Sequence, residues 1–454
     1  MNIEEIIISQ RAFFSTNQTK DVNFRLKQLK KIKKLLKDNE DLIYKAIYDD
    51  FRKSKFETYL SELSLVYHEI NTLIKNLKKW SKPKSVYTGL TNFPAKSYII
   101  PEPLGNTLVI GAWNYPYQLS LMPAITALAA GNTVILKPSE LPKNSSKAMA
   151  KIINENFNSN YFCVIEGGIN ETTQLLEHRF DKIFFTGSTN VGKIIYQAAA
   201  KHLAPVTLEL GGKSPTFVLA DANLKMTAKR MVWAKFLNAG QTCVAPDYVL
   251  VEKSIEKEFL DVLKNEIEKQ YSQENQDNYL QIINTKNFER LNNLIDTTKV
   301  FCGGKSNKEE RYISPTILQN VSFNDPIMQD EIFGPILPVI PFSELDTAIT
   351  MVKGKPKPLS CYIYSKNRKK IKKILNEISF GGGAINDSVM HLTNSNLPFG
   401  GVGLSGVGNY HGKDGFSTFS HYKSILDKPF WLEFNLKYAP YTKLKMKIMS
   451  WLIE

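Results

Sequence analysis

The sequence predicts an α/β protein in which a doubly wound, nucleotide-binding type of domain is followed by a second α/β domain. Three observations support this fold class. Apolar residues repeat at helical spacing in the first eighty residues, short apolar runs alternate with helical stretches from Asn106 onward, and the alternation resumes after Gly211-Gly212. The chain has 454 residues, of which 43% are hydrophobic and 22% charged. This composition is typical of a globular protein with two large domains or roughly three average ones.

The N-terminal region is predicted to be helical as far as Lys82. One set of apolar residues at helical spacing is Val22, Leu26, Leu29, Ile32 and Leu36, and a second is Phe56, Tyr59, Leu63, Val66, Ile70, Leu73, Leu77 and Trp80. Pro83 ends the second helix, because the residue before a proline is driven out of the α region. Residues 86–103 lack helical periodicity, which indicates a β-ribbon or bridging segment.

The next region predicts a parallel sheet that is covered by helices on both faces. Its apolar, β-rich runs are residues 107–110, 133–136, 162–165, 183–185 and 206–210. Helical stretches separate them at 118–130, 143–156, 172–178 and 191–200. Five such strands are typical of a doubly wound domain, which binds ligands beyond the carboxyl ends of its strands.

A second set of alternating elements follows Gly212. The predicted strands are residues 216–219, 248–251, 336–340 and 361–364, and the predicted helices are 224–237, 255–269, 345–352 and 368–378. Residues 274–308 are polar and are predicted to form surface helix and loop. The cleft between two such domains is the default place for an active site.

The charge and cysteine content favour a soluble cytoplasmic protein. The formal net charge is +14, but the basic residues alternate with apolar ones in helical stretches such as 30–34 and 369–373. A solvated helix face is therefore the favoured interpretation, and a nucleic-acid patch is the alternative. The cysteines, Cys163, Cys243, Cys302 and Cys361, are too few and too scattered for a disulfide framework. We expect no secretory signal and no membrane span, since Glu4 and Glu5 precede only three isoleucines and no run approaches ~18 apolar residues.

Glu209 and Cys243 carry the strongest chemical signal. Glu209 ends a β-like run, and Cys243 closes the small-residue segment Asn238-Ala239-Gly240-Gln241-Thr242-Cys243. A thiol attacks carbonyl carbons well, and a nearby carboxylate can activate the water that releases the resulting thioester. Such a thiol needs a lowered pKa or a local hydrogen-bond donor. Alone, these residues would be a buried structural cysteine and a surface glutamate, but together they predict covalent catalysis. We expect the other three cysteines to be inert, two in strands and Cys302 in a loop.

Asn114 is a candidate oxyanion donor. It follows the first predicted strand of the sheet and precedes a helix, which places it at the edge where ligands bind. Removing one such donor typically costs about 3–4 kcal/mol of transition-state stabilisation. The alternative is a helix N-cap, which is a common position for asparagine.

Two further segments predict nucleotide contacts. Residues 185–192 combine a strand, a glycine-containing turn and a helix start, whose backbone amides suit a pyrophosphate, although the motif is not a full G-x-G-x-x-G. Lys137 and Glu140 follow the second strand and are placed to bind ribose hydroxyls, with a surface ion pair as the alternative. The six histidines form no metal-binding pattern, so no metal site is predicted.

These segments, taken in order, resemble the motif set of aldehyde dehydrogenases. The motifs are Trp113-Asn114-Tyr115-Pro116, Lys137-Pro138-Ser139-Glu140, the 185–192 turn, Glu209-Leu210-Gly211-Gly212-Lys213-Ser214-Pro215, Gly240-Gln241-Thr242-Cys243 and Glu331-Ile332-Phe333-Gly334-Pro335. The resemblance runs from about Pro103 to His421. Residues 398–403, 410–413, 416–421 and 438–441 are similar to the C-terminal signature of the class 3 branch, which acts on fatty and aromatic aldehydes.

The resemblance implies a role for each matched residue. Cys243 would be the nucleophile and Glu209 the general base, and Asn114 would hold the oxyanion together with the Cys243 backbone amide. The implied cofactor contacts are Glu331 and Lys137 with ribose hydroxyls, Phe333 with the nicotinamide, Ser188 with the phosphates, and further contacts by Trp113, Glu140, Thr186, Gly187, Gly192 and Leu210. The implied substrate contacts are Tyr115, Trp233 and Thr242.

The resemblance also implies a domain organisation. Residues 1–82 and 104–207 would form a Rossmann-like, doubly wound NAD(P)-binding domain, and residues 208–396 a second α/β catalytic domain. Residues 83–103 and 397–430 would form a small bridging and oligomerisation β element, and residues 431–454 a C-terminal tail. The tail places Leu444, Ile448, Trp451 and Leu452 on one helical face, next to Lys443, Lys445 and Lys447. Packing in a homodimer is the favoured interpretation, and weak peripheral contact with an anionic membrane is the alternative.

The implied activity is the NAD(P)-dependent oxidation of aldehydes, with medium- or long-chain aliphatic or aromatic substrates, to carboxylic acids. NAD is the favoured cofactor and NADP the alternative. Two other functions stay open. An acylating enzyme would resolve the thioester with coenzyme A, but it has less need of a base at Glu209. A catalytically silent binding protein of the same fold would have no need of Asn114, Glu209 and Cys243 together.

Overall fold

The computed structural model describes residues 2–272 and 279–453 and has the predicted α/β architecture. The N-terminal helices are α1 (Ile3–Ser15), α2 (Val22–Asp38), α3 (Glu40–Phe51), α4 (Lys55–Thr58) and α5 (Ser64–Trp80), and a π-helical turn (Tyr59–Leu63) joins α4 to α5. The Asp21 carboxylate caps α2 by accepting from two backbone amides of its first turn.

Part of the predicted helical repeat is wrong in α4 and the π turn, before α5 begins. Phe56 and Tyr59 are 75% and 47% exposed, whereas Leu63 and the members of the repeat that follow it as far as Leu77 are buried. The reason is the π turn, in which the Ser64 N–H donates to the Tyr59 carbonyl five residues back. The extra residue in this turn rotates the preceding segment away from the core.

The first large sheet has six strands in the order β17 (Gly406–Val407), β7 (Val206–Glu209), β6 (Lys182–Thr186), β3 (Asn106–Ile110), β4 (Thr133–Lys137) and β5 (Phe162–Val164). The strands β3 to β7 are parallel, and β17 pairs antiparallel with β7 at the edge. All five predicted strands of this sheet are confirmed, with ends that agree within one residue.

Helices cover both faces of this sheet. The connecting helices are α6 (Gln118–Ala130), α7 (Lys143–Asn154), α8 (Ile169–Glu177) and α9 (Thr189–Ala200). Residues of α1, α8 and α9 pack on one face, while α2, α5, α6 and α7 share a core with the other. Every residue of α6 is buried, so this helix is the centre of the fold's first half.

The second large sheet has the order β10 (Val300–Cys302), β13 (Thr316–Leu318), β14 (Ile336–Phe342), β9 (Tyr248–Glu252), β8 (Pro215–Val218), β15 (Ser360–Tyr364) and β16 (Gly382–Ile385). It is parallel except for β10. Its helices are α10 (Leu224–Phe236), α11 (Glu256–Gln270), α12 (Thr285–Asn292), α13 (Leu345–Lys353) and α14 (Arg368–Glu377). The sequence analysis missed β10, β13 and β16, and Cys302 ends a paired strand rather than lying in a loop. Residues 273–278 of the predicted polar stretch lie outside the described residues.

Smaller elements complete the structure. Strands β1 (Lys84–Val86), β2 (Lys96–Pro103) and β18 (Ser420–Asp427) form an antiparallel sheet, and β11 (Ser306–Asn307) pairs with β12 (Tyr312–Ile313). The last helices are α15 (Gly412–Thr418) and α16 (Lys443–Ile453). Within the described ranges, the helices are all too short or too polar to cross a membrane.

The strand order brings four candidate segments together. The chain runs outward from β3 to β4 and β5 and then returns to β6 on the other side of β3, which creates a topological switch point. Ile110 is paired with Lys137 and with Phe185, and Thr186 is paired with Glu209. The segments that follow these four strands therefore meet at one edge of the sheet.

Candidate active site

One cavity of about 1050 Å³ contains nearly all of the predicted site residues. Its walls include Asn114, Glu209 and Cys243, the substrate candidates Tyr115, Trp233 and Thr242, and the cofactor candidates Trp113, Lys137, Glu140, Thr186, Gly187, Ser188, Leu210, Glu331 and Phe333. Gly192 is the exception. It lies in α9 behind the cavity wall, where an added Cβ would be 2.7 Å from a Leu210 methyl group. The absence of a side chain at Gly192 allows α9 to pack closely against Leu210, which follows β7.

Cys243 follows a turn with an unusual backbone. Asn238, Ala239 and Gly240 have φ values of 55°, 50° and 70°. A side chain at Gly240 would overlap the Gly334 carbonyl, so only glycine fits there. These three successive residues with positive φ change the direction of the chain after α10, and Cys243 then lines the cavity.

The electrostatic surroundings of the Cys243 thiol oppose ionisation. Burial, then the charges of Glu331 and Glu209, raise its pKa to about 12, while backbone N–H groups of Cys243 and Val244 act in the opposite direction. The sequence predicts that a reactive Cys243 thiol needs a lowered pKa or a local hydrogen-bond donor. The structure has the donors, but burial outweighs them, so the thiol is protonated at neutral pH before ligands bind.

Glu209 ends β7 and has no compensating partner. Its carboxyl group is 3% exposed, and among the described residues neither oxygen accepts a hydrogen bond. Burial raises its pKa well above the ordinary value. Because no donor stabilises the charge, this carboxylate is a strong base once it is ionised.

Asn114 does not cap a helix. Helix α6 begins at Gln118 with Tyr117 at the N-cap position, which excludes the alternative interpretation of Asn114. The Asn114 Nδ2 donates one hydrogen to the Gln241 carbonyl at 3.0 Å. The second hydrogen on the same nitrogen has no acceptor in the described part of the chain and is available to a substrate oxygen.

The substrate end of the cavity is mainly apolar. The Tyr115 hydroxyl shares a hydrogen bond with Thr242 Oγ1 at 2.6 Å, next to Cys243. Trp233 of α10 packs against the small apolar cluster that includes Cys243. Apolar side chains continue this wall, namely Phe56, Leu60, Leu119, Met390 and Leu392.

The opposite end has features that suit a dinucleotide. Ser188 caps α9 by accepting the Val191 N–H at 3.4 Å, and Thr186 Oγ1 is buried without a hydrogen-bond partner among the described residues. Lys137 lines the same end, where its Nζ donates to the Pro138 carbonyl at 2.7 Å and retains two further hydrogens. Burial lowers the Lys137 pKa, and the charge of Glu140 opposes that shift. Backbone amides at the start of a helix can bind phosphates. The Lys137 ammonium group and the exposed Glu140 carboxylate can bind ribose hydroxyls.

Glu331 and Phe333 complete this end of the cavity. The Glu331 carboxylate lies against Gly211, where an added Cβ would overlap it, and it accepts the Gly212 N–H. Burial, with Asp247 as the next cause, raises its pKa to about 8. Phe333 has a φ of 51° and meets the Trp113 ring edge-on at 5.3 Å. The site's residues thus fit a dinucleotide that spans from α9 to Cys243.

Comparisons with known proteins agree with this geometry. The profile of the aldehyde dehydrogenase family matches residues 1–425. The chain belongs to the aldehyde dehydrogenase family. A 4,4'-diaponeurosporen-aldehyde dehydrogenase from Staphylococcus aureus is 49% identical over 443 residues, which cover 97% of this chain and 96% of the relative. A mouse dimeric NADP-preferring aldehyde dehydrogenase is 44% identical over 427 residues, 94% of each chain. A solved structure of Staphylococcus aureus AldH in its substrate-bound state superposes with a TM-score of 0.98, at 48% identity and with 100% of both chains covered.

The protein is therefore an aldehyde dehydrogenase, an enzyme of a family that uses NAD(P), and it resembles class 3 members. This assignment confirms the resemblance found in the sequence. The individual residue roles remain predictions that the cavity makes geometrically possible.

Sequence reasoning missed several residues that form this aldehyde dehydrogenase site. Tyr410 and His411 line the cavity, and burial, followed by the charges of Glu209 and Cys243, raises the pKa of the Tyr410 phenol. Burial lowers the pKa of His411 to about 3, so its imidazole is neutral. Both residues stood in the C-terminal motif of the sequence, but only the fold shows that this motif returns to the catalytic cavity.

Proposed function

We propose that this enzyme oxidises aldehydes to carboxylic acids through a thioester on Cys243, with hydrolysis by water that Glu209 activates. The observation that supports this proposal is a thiol and a buried carboxylate in one cavity, where no group among the described residues donates to the carboxylate. A carboxylate without hydrogen-bond donors is costly to bury, and general-base catalysis is a physical reason for its presence.

Each step uses residues whose geometry is described above. The Cys243 thiol releases its proton to solvent, and the thiolate, which two backbone donors favour, adds to the aldehyde carbon. The resulting oxyanion accepts hydrogen bonds from the free Asn114 Nδ2 hydrogen and the Cys243 amide. The nicotinamide, when bound, supplies the hydride acceptor. Glu209 then takes a proton from the water that attacks the thioester, and the carboxylic acid and the thiol separate.

The cofactor proposal is NAD, with NADP as a weaker alternative. Glu140 would accept hydrogen bonds from the adenosine ribose and repel a 2′-phosphate, while Lys137 offsets part of that repulsion. Glu331 would bind the second ribose, Phe333 and Trp113 would pack beside the nicotinamide, and Ser188 would lie near the phosphates. Thr186, Gly187 and Leu210 would complete these contacts.

The substrate proposal is a medium- or long-chain aliphatic aldehyde or an aromatic aldehyde. The proposed substrate contacts beside the reacting carbon are Tyr115, Thr242 and Trp233, because they line the same cavity as Cys243 and the apolar side chains. Each buried methylene on such a wall contributes about 0.8 kcal/mol.

The organisation of the protein is also a proposal. The two large sheets support a cofactor domain of residues 1–82 and 104–207 and a catalytic domain of residues 208–396. The antiparallel sheet of β1, β2 and β18 supports an oligomerisation element within residues 83–103 and 397–430. We propose a homodimer, with α16 as a packing or weak membrane-contact segment, in a reducing, cytoplasmic setting that suits the free cysteines.

One assay tests the proposed reaction. Wild-type enzyme and Cys243→Ser are given NAD and a mixed panel of aldehydes, with and without coenzyme A, and both reduced cofactor and acid product are measured. We expect acid formation that does not depend on coenzyme A, and no turnover by Cys243→Ser despite normal NAD binding. Acyl-coenzyme A as the product would favour the acylating alternative, and no reduced cofactor with any aldehyde would favour the silent one.

A further inference from the structure

Two buried, charged residues of the N-terminal region, one in the connection between α3 and α4 and one in the π turn, contact the oxyanion side of the site. Lys53 Nζ and Glu62 Oε1 form an ion pair at 2.8 Å in which both side chains are fully buried. The Lys53 ammonium also lies 4.2 Å from the centre of the Tyr115 ring. The second Glu62 oxygen accepts the Tyr117 and Gln118 amides at 2.8 and 3.3 Å, where α6 begins. This pair therefore holds the segment that carries Asn114.

Glu57 of α4 contacts the loop that leads to Cys243. Glu57 Oε1 accepts the backbone N–H of Asn238 at 2.7 Å. Asn238 is the first of three successive residues with positive φ, and Ala239 is the second. Non-glycine residues persist in that conformation only where their surroundings hold them. The Glu57 carboxylate is the long-range anchor for the first amide of this strained turn.

The Asn238 side chain connects that anchor to the oxyanion donor. Its Nδ2 donates to the Asn114 carbonyl at 2.9 Å and to the Gln241 carbonyl at 3.1 Å. The Asn114 Nδ2 donates to the same Gln241 carbonyl. A displacement of Asn238 would therefore shift the Asn114 amide and the loop that leads to Cys243 together.

The π turn explains why Glu57 and Glu62 can both face the site. In an α-helix, residues five apart differ by about 140° around the axis, since each residue advances by roughly 100°. The i to i+5 bond from Ser64 to Tyr59 widens this turn and brings such residues toward the same face. Single π turns of this kind are frequent at functional sites.

We propose that Glu57 is a positioning residue, which sets the Asn114 amide and the Cys243 loop in register by holding the Asn238 amide. The inference rests on the proposed function, because it assumes that Asn114 and Cys243 perform the acylation step. Catalysis then also requires an acceptor oxygen at position 57 within hydrogen-bond distance of the Asn238 amide. The negative charge of that acceptor is less important than its position.

A pair of conservative variants separates distance from charge. Glu57→Asp keeps the charge but shortens the side chain by one methylene, and Glu57→Gln keeps the length and one acceptor oxygen but removes the charge. We expect Glu57→Asp to slow the burst of reduced cofactor about tenfold to a hundredfold, because small misplacements of reacting groups have effects of that size. Glu57→Gln should keep the burst rate within about threefold of the wild-type rate. The KM for NAD should change little in both variants, since the cofactor end is not touched.

Asp50→Ala provides a matched structural control. Asp50 accepts the Asn144 and Ser145 amides at the start of α7, outside the cavity. This variant should lose thermal stability while its burst rate stays that of wild type.

Three results would overturn the positioning role. They are a wild-type burst rate in Glu57→Asp, a slower burst in Glu57→Gln than in Glu57→Asp, and failure of both variants to fold, which would assign Glu57 to stability alone. Turnover by Cys243→Ser would instead refute the proposed function. If Cys243→Ser is inactive and Glu57→Asp is normal, only the positioning inference fails.

Discussion

Replacing Glu209 with glutamine should separate the two halves of the reaction. Acylation of Cys243 does not need the base, so a burst of reduced cofactor should persist, with an amplitude near one per active site. Hydrolysis of the thioester does need it. A positioned general base typically contributes 10²- to 10⁴-fold, so we expect steady-state kcat to fall by about that factor.

The same change should stabilise the folded protein. Glu209 is buried without a partner in the described part of the chain, and its folded pKa is raised. Such a carboxyl holds its proton in the folded state at pH values where the unfolded chain releases it. The wild-type protein therefore loses stability as pH rises above the ordinary carboxyl range and up to the raised pKa. Glutamine is neutral at every pH, so the gain in melting temperature should be larger at pH 8 than at pH 5.

Rapid mixing with an aldehyde and NAD measures the burst, and thermal unfolding at the two pH values measures stability. Glu177→Gln is a suitable control, because Glu177 is an exposed glutamate at the end of α8 and should leave both quantities unchanged. Normal steady-state turnover by Glu209→Gln would refute the base assignment. A variant that is less stable than wild type at pH 8 would refute the electrostatic reasoning.

Four further predictions follow from the structure. The ratio kcat/KM should be higher for NAD than for NADP because Glu140 repels a 2′-phosphate, and a roughly tenfold preference for NADP would contradict this. Across a series from two-carbon to eight-carbon aldehydes, kcat/KM should rise, since each buried methylene adds about 0.8 kcal/mol, and a flat series would remove the apolar-wall hypothesis. Burial raises the pKa of Glu69 to about 6, against a hydrogen bond from the Gly412 amide. Because this carboxyl keeps its proton in the folded state up to its raised pKa, the protein should lose about 1.5 kcal/mol between pH 4.5 and pH 7 that Glu69→Gln does not lose, as measured by urea unfolding. If the proposed homodimer forms, deleting residues 435–454 should weaken it in sedimentation experiments without removing activity, whereas a stable dimer that no longer binds anionic vesicles would support membrane contact.

The parallel strands were predictable because they are buried on both faces. Strands β3 to β7 appear in the sequence as uninterrupted apolar runs, and that is the signal of a sheet covered by helices on both sides. Strands β10, β13 and β16 lack this signal. They are three or four residues long, and β16 begins with Gly382-Gly383, so tertiary pairing with a neighbouring strand decides their conformation.

The catalytic candidates were predictable for a related reason. Asn114 and Glu209 lie at or just after the ends of strands, and parallel strands end at one edge of the sheet. Glu57 gave no such signal. Its hydrogen-bond partner is 181 residues away in the sequence, and the π turn that orients it breaks the helical period by one residue. A pattern that assumes 3.6 residues per turn assigns the wrong face to this segment, as the exposure of Phe56 shows.

The site concentrates groups in states that a folded protein usually avoids. These are the Glu209 carboxyl, which is buried and accepts no hydrogen bond from the described residues, and the successive residues with positive φ from Asn238 to Gly240. Each destabilises the fold, and each lies where the chemistry needs it. Groups that destabilise the fold and groups that hold them in place should respond to mutation in opposite ways. Removing a destabilising group, as in Glu209→Gln, should raise stability and lower turnover, whereas weakening a group that holds the arrangement, as in Glu57→Asp, should lower both. Measuring stability and turnover together therefore distinguishes a catalytic residue from a positioning residue in this enzyme.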